Sequence, residues 1–216
     1  MALDVSQVES VDLTEAVCFR VAEYDTPFWP SENSRSGRWN STGDGATQYW
    51  SMDPASAWAE LLRAEEIRVA DDVVELRHRI WASRLTCSGI ADLSTFDRIG
   101  RAGLDPHVLV SDEHGDCQSI GRALREHGFR GVLAPSAALP GAANVTVFGP
   151  RLRVGWSSSL KLTSSVPACV VAHGHPALDI LPAVRHYGME HAGLIASEGR
   201  SLDIGEVAED IRRIDE

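Results

Sequence analysis

The sequence predicts a mixed α+β fold centred on a sheet, and three observations lead there. Helical patterns stand between short apolar strand-like runs, and these runs show no strict βαβ rhythm. The third is composition: 216 residues, 44% hydrophobic and 24% charged, suit a soluble globular chain with a sizeable core rather than a disordered or fibrous one. At roughly 100–200 residues per domain, such a chain holds one domain with an appendage or two small ones.

Taken in order, Ala16 to Ala22 (AVCFRVA) reads as a short strand, apolar except for Arg20. Tyr24 to Gly45 is rich in Ser, Pro, Gly and Asn and carries Arg35 and Arg38, which marks a long loop or an irregular hairpin. Loops of this length in compact domains are usually functional or disordered. Ala46 to Ser51 is a strand running into a helix that Asp53 caps and Pro54 opens. That helix is expected to reach about Ile67. On a wheel of about 100° per residue, Ala57, Ala64 and Ile67 fall together with Glu60 among them, so Glu60 is expected to face inward.

Val73 to Trp81 has strand composition, and Arg84 to Leu93 has it more weakly. Cys117 to His127 is a second helix, stopped by Gly128 ahead of an apolar strand at Gly131 to Ala134. A turn containing Pro135 and Ser136 follows, then strands at Asn144 to Phe148 and Arg151 to Trp156. From Ser157 to Pro167 Ser and Thr replace the regular pattern, and beyond it Pro176 to Gly188 and Ile204 to Ile214 are helical by pattern. The expected division is a domain over residues 1–157 and a C-terminal extension or small helical subdomain over 158–216.

Charge and composition exclude several functions. With 20 Lys plus Arg against 31 Asp plus Glu, the net charge of −11 opposes direct binding to nucleic acid. No apolar run approaches the ~20 residues of a membrane helix, and MALDVSQVESVD lacks the basic and apolar stretches of a signal peptide. Cys18, Cys87, Cys117 and Cys169 are scattered with no CxxC pair, as in a reduced compartment. The expectation is a cytoplasmic protein with no membrane contact. His173-Gly174-His175 with His186 and His191, and the run Asp112-Glu113-His114-Gly115-Asp116, have neither HExxH nor calcium-loop spacing. They read as a surface loop and a solvated turn, so no metal site is expected. Without a GxGxxG or P-loop motif, a Rossmann or phosphate-cradle site is unsupported.

The residues that could carry chemistry are Arg20, Arg38, Tyr49, Glu60, Ser136 and Asn144. Each has an ordinary alternative. Arg20 in an apolar strand suits a structural ion pair, Arg38 a solvated loop cation, Tyr49 a core position and Ser136 a turn. Glu60 is harder to dismiss, because inward carboxylates are rare without a partner.

As a set these residues resemble the RES family, the toxins of bacterial RES–Xre toxin–antitoxin modules. The resemblance rests on SGRWN in the loop, Tyr49 eleven residues after Arg38, Glu60 eleven residues after Tyr49, and a late GVLAPSA…NVTVF. It runs from about Cys18 to Phe148. Arg38, Tyr49, Glu60 and Ser136 match the family's arginine, tyrosine, glutamate and serine, Arg20 the arginine of its first strand, and Asn144 the asparagine before its last. Trp50 departs from the smaller apolar residue usual there, which would narrow a pocket wall. Residues 158–216 have no recognised counterpart and are candidates for covering the cleft or for a homo-oligomer interface.

The resemblance implies a fold like that of ADP-ribosyltransferase toxins and a chemistry that consumes NAD+ as substrate, with no bound cofactor. The nicotinamide–ribose bond would be cleaved and ADP-ribose passed to water or phosphate. Glu60 would stabilise the oxocarbenium-like state or hold a ribose hydroxyl, and Arg38, backed by Arg20, would hold the pyrophosphate. Tyr49 would stack on nicotinamide or orient ribose, and Ser136 would bond ribose or the acceptor. An Xre-type antitoxin is the implied partner. Two alternatives stand beside this reading: mono-ADP-ribosylation of a protein, and a catalytically silent binding module that keeps the fold.

Overall fold

The computed structural model describes residues 3–23, 27–28, 33–149, 156–157 and 168–197. Seven strands form one mixed sheet. β1 (Ser10–Val21) pairs antiparallel along nearly all of β3 (His78–Asp92). On its other side β1 meets β2 (Thr47–Ser51) through Phe19 opposite Ser51. β2 continues into β5 (Ala143–Phe148), β5 into β4 (Gly131–Pro135), and β4 returns to β3 through a parallel register of Ile90 with Gly131. The pairings therefore close on themselves. The remaining edge of β3 carries β6 (Trp156–Ser157) opposite Arg84–Leu85, and β7 (Ala168–Gly174) opposite residues 78–83.

Helices cover this sheet on two sides. α3 (Phe96–Arg101), α4 (Pro106–Val110) and α5 (Gly115–Glu126) enclose a core of Ile99, Leu109, Ile120, Leu124 and Val132. α1 (Pro54–Ala64) and α2 (Ala70–Glu75) bury Leu62 and Val73 together with Val184. A short α6 (Ala192–Ser197) closes the described chain, with Leu194 against Val110 and Ala137. Among the described residues no helix is long and apolar enough to cross a membrane.

Several departures from the sequence pattern have physical causes. α1 ends at Ala64 rather than near Ile67, because Glu66 takes a left-handed φ of 54° and the Ile67 and Glu66 amides close back onto the carbonyls of Leu62 and Arg63. Ala64 is consequently exposed, while Ala57 is buried. The strand expected from Val73 begins only at His78. Asp71 and Asp72 favour a helical first turn, and Val73 is fully buried against α1 in a short helix; tertiary packing thus overrides its β preference.

The two strands expected between Val73 and Leu93 are one strand of 15 residues, carried past Gly89 at a φ of 75°. Where a helix was expected at Pro176–Gly188 there is only a 3-10 helix, Leu178–Ala183; Pro182 inside it has no amide to donate. α3, α4, β7 and α6 add to the elements read from sequence. Of the strand expected at Arg151–Trp156 only Trp156 is described, and the helix expected at Ile204–Ile214 lies outside the described residues.

Candidate active site

α1 starts two residues after β2. The Asp53 carboxylate caps it by accepting from the amides of Ala55 (2.7 Å) and Ser56 (3.3 Å), and Pro54 occupies the first turn. This anchoring directs Glu60, half-buried, toward the ends of β4 and β5. Glu60 Oε1 accepts from Ser136 Oγ at 2.9 Å and from Asn144 Nδ2 at 2.6 Å; Oε2 takes part in neither bond. Sheet register supplies the partners. Asn144 lies opposite Ser51 of β2 and Ala134 of β4, and Ser136 follows directly after β4. Ser56 Oγ donates to Asn144 Oδ1 at 3.1 Å, which turns the amide nitrogen toward Glu60.

Ser136 is fully buried. Its Oγ accepts from the amides of Ala138 (3.2 Å) and Leu139 (3.0 Å) while its proton goes to Glu60. Both lone pairs are occupied, so this oxygen is a positioner and not a nucleophile.

The arginine loop is docked between β2 and α5. Gly37 and Asn40 bridge each other, with Gly37 N donating to Asn40 O at 2.9 Å. The Tyr49 hydroxyl accepts from Trp39 N at 2.9 Å and donates to Asn40 Oδ1 at 2.6 Å. A Cβ at Gly37 would run into that hydroxyl, so glycine is needed at this close approach. Gln118 and Arg125 of α5 hold the carbonyls of Gly37 and Trp39, both at 2.9 Å. Arg38 projects from the turn this creates, donating to Leu109 O at 3.1 Å with Cys117 Sγ at 3.9 Å. Burial pushes the Tyr49 phenol well up, keeping it neutral despite Arg125 and Arg38 nearby. Arg20 donates to Pro27 O at 3.0 Å, tying β1 to the start of this loop. Trp50, next to Tyr49, points to the other face of β2 as strand alternation requires and packs in the core with Phe28, ring centres 5.5 Å apart.

A second polar cluster adjoins the first. Arg63, one turn beyond Glu60, is 3% exposed and pairs with Asp112 at 2.6 Å, and Arg185 pairs with the same carboxylate at 2.9 Å. Gly188 N donates to Asp112 Oδ2 at 2.8 Å. Burial pushes the Asp112 carboxyl up, but Gly188 N–H, Arg185 and Arg63 outweigh it and hold the group below its usual value. Arg63 also stacks over the Tyr187 ring at 4.5 Å. Burial, Arg185 and Arg38 lower the Arg63 pKa, while Glu60 and Asp112 act against them. Arg63 thus feels both Arg38 and Glu60, the charged groups of the loop and of α1. Burial together with Arg38 and Arg63 depresses His114 to about 4, so it is neutral near pH 7.

Among the residues read from sequence, Glu60, Ser136 and Asn144 share one hydrogen-bond network, and Tyr49 of β2 clasps the turn that carries Arg38. The sequence pattern singles out neither Arg63 nor Arg185, and it reads His191 as part of a surface loop and Asp112 as part of a solvated turn; His191 is instead buried against Ser136 O. Asp112 is instead an ion-pair centre. For Arg63 a signal existed, since it lies three residues from Glu60 on a capped helix. For Asp112 and Arg185 none did, because their pairing spans 73 positions of chain. Among the described residues no three His, Cys, Asp or Glu side chains gather as metal ligands. A cavity of about 410 Å³ is lined by Asp112, Arg185 and His191 among others, but not by Glu60, Ser136 or Asn144.

Fold and site together define a class: a sheet-centred α+β domain presenting a carboxylate, held by neutral donors, beside an arginine-bearing loop. Residues 17–163 match the RES domain, and the chain belongs to that family. The probable NAD(+) phosphorylase Rv3189 of Mycobacterium tuberculosis is 36% identical over 115 residues, covering 52% of this chain and 53% of that protein. The chain thus aligns with about half the length of that relative. The NAD(+) phosphorylase MbcT of Mycobacterium bovis is 26% identical over 174 residues, 76% of this chain and 91% of MbcT. The crystal structure of the M. tuberculosis MbcT–MbcA toxin–antitoxin complex matches with a TM-score of 0.58 at 20% identity, over 82% of this chain and 91% of that one, which makes the fold the same.

Proposed function

We propose that this protein is the toxin of a toxin–antitoxin pair and cleaves the nicotinamide–ribose bond of NAD+, passing ADP-ribose to phosphate. Membership of the RES family and relatives named NAD(+) phosphorylase support the substrate and the acceptor. The observation that carries the reading is the Glu60 carboxylate, half-buried and organised only by the neutral donors Ser136 and Asn144.

As the C1′–N bond breaks, its electron pair goes to the pyridine nitrogen, and nicotinamide leaves neutral without an acid. Positive charge then develops on the ribose C1′ and ring oxygen, where a preorganised carboxylate stabilises it. A phosphate oxygen completes the exchange by bonding C1′, so the products are nicotinamide and an ADP-ribose phosphate ester. Glu60 is the catalytic residue in this scheme, and Ser136 and Asn144 set its orientation. Arg38 takes the pyrophosphate through charge-assisted hydrogen bonds, with Arg20 behind it, and Tyr49 holds the Arg38 turn. NAD+ is consumed, so no cofactor remains bound. The partner is an Xre-type antitoxin that covers the cleft in the cytoplasm.

Purified protein incubated with NAD+, with and without phosphate, tests this. Nicotinamide release that requires phosphate and yields the ester is expected. Release indifferent to phosphate would make the enzyme a hydrolase, and mass gain on lysate proteins would make it a transferase. No release under any condition would leave only a binding module.

A further inference from the structure

We infer that Arg185 and His191 are positioning residues for the carboxylate site, although both lie beyond the RES-matched residues 17–163. Three consecutive carbonyls of the turn bearing Ser136 are held by this segment. His191 Nε2 bonds Ser136 O at 3.0 Å, Arg185 Nη1 donates to Ala137 O at 3.3 Å, and Arg185 N donates to Ala138 O at 2.8 Å. A carbonyl only accepts, so Nε2 must carry the proton of a neutral ring. Burial, with Arg185, Arg63 and Arg38 close by, lowers the His191 pKa and keeps the ring neutral, although the bond to Ser136 acts the other way.

The same segment is tied to α1 at its other end. Arg185 Nη2 and Gly188 N both bind Asp112, which holds Arg63, and Arg63 sits one turn from Glu60. A closed path therefore runs from Glu60 through Ser136, the turn, Arg185, Asp112 and Arg63 back to Glu60's own helix. Together with the packing of Ala138 on Ala59 and Leu62, it sets the distance between α1 and the end of β4, which is the distance spanned by the Ser136–Glu60 bond. The turn's other backbone hydrogen bonds are local, from Ser136 N to Ala142 O at 2.9 Å and from Ala142 N to Leu139 O at 3.1 Å, and Ala138 and Leu139 also pack in one apolar cluster with Ala59 and Leu62 of α1. The local bonds shape the turn and the non-directional apolar contact holds it near α1, while the hydrogen bonds from Arg185 and His191 orient its carbonyls.

This rests on the proposed NAD+ cleavage, and the test separates the two. His191→Gln keeps an amide N–H where Nε2 lies, whereas His191→Asn is too short to reach Ser136 O. Misplacement of a reacting group by about 1 Å costs up to about 100-fold in rate. His191→Asn is therefore expected to lose 10- to 100-fold in kcat with KM within about twofold, and His191→Gln to recover most of it. Equal turnover of the Asn variant and the wild type would overturn the inference.

A readout independent of substrate is amide exchange at Ala138 and Leu139, whose N–H groups donate to Ser136 Oγ. Both should lose protection in His191→Asn while Val145 and Val147 of β5 keep theirs. If the wild type cleaves no NAD+ yet these amides respond, the substrate reading fails and the positioning role stands. If exchange does not change, the positioning role fails. Should His191→Asn not fold, Arg185→Lys retains the charge beside Asp112 but cannot serve Asp112, Ala137 O and Met189 O, which accepts from Arg185 Nε at 2.8 Å, all together, and the same losses are expected of it.

Discussion

Glu60 and Asp112 are two partly buried carboxylates on either side of Arg63, and they are equipped for opposite tasks. Asp112 is neutralised by two guanidiniums and a backbone amide, with pairs at 2.6 and 2.9 Å. Its charge is compensated before any ligand arrives, so it cannot answer positive charge appearing elsewhere. Glu60 is held by a hydroxyl and an amide on one oxygen, both uncharged. Its geometry is fixed while its charge is not matched by a directly bonded cation, which is the condition for stabilising a cationic transition state. The partners of a carboxylate, more than its burial, decide whether it serves structure or chemistry.

Substitutions can break this contrast from either side. The largest effect is expected from Glu60→Gln, which keeps shape and hydrogen bonding but removes the charge. Nicotinamide release should fall about 10²–10³-fold, on the scale of losing one electrostatic stabiliser, with an unchanged urea midpoint. Asp112→Ala should act first on stability, with a smaller loss of turnover than Glu60→Gln because it opens the path from Arg63 to Arg185. It leaves Arg63 and Arg185, 3% and 8% exposed, as buried charges without their partner, at a cost of about 3 kcal/mol. A shift of the urea midpoint at constant m-value measures it. A small shift there, with turnover lost as in Glu60→Gln, would erase the distinction between the two acids.

A pH series sharpens the same boundary. The unfolded chain protonates His114 near the ordinary value of 6.5, whereas the folded chain resists until about 4, because of burial and then Arg38 and Arg63. The unfolded state binds more protons across that window, so stability should fall as pH drops from 6.5 toward 4. Asp112, held below its ordinary value of 3.8, contributes fully above that pH and is lost only further down. Melting temperatures of the wild type and His114→Gln between pH 7 and 4.5 should diverge, the variant falling less; a residual slope comes from His186 and His191, also lowered by burial. The smallest effect is expected from Ser56→Ala. It removes the hydroxyl that orients Asn144 at 3.1 Å, and one hydrogen bond worth about 1 kcal/mol implies a loss of several-fold in turnover.

Legibility in the sequence followed the range of each interaction. The start of α1 was readable because Asp53 and Pro54 act within one turn, and α5 because Gly128 stops it. Strands β4 and β5 were readable from their apolar runs. α4 carries the same Asp-Pro signature at Asp105 and Pro106, yet five residues are too few to raise a periodic pattern. Val73 misled because its β preference is weaker than the burial it gains against Leu62. Glu60, Ser136 and Asn144 were readable as a set through a family pattern of order and spacing, whereas their hydrogen bonds were not.

By itself, then, the sequence determined the class of fold, the capped helix carrying Glu60, the arginine loop and the identity of the residues gathered around them. Only the tertiary structure decided that Ser136 gives its proton to Glu60, that Tyr49 clasps the loop turn, and that Asp112 joins Arg63 to Arg185. Local signals report what neighbours along the chain do to one another. Pairings across 76, 84 or 73 positions depend on strand register and helix docking, and these are set by burial of the whole core rather than by any short stretch within it.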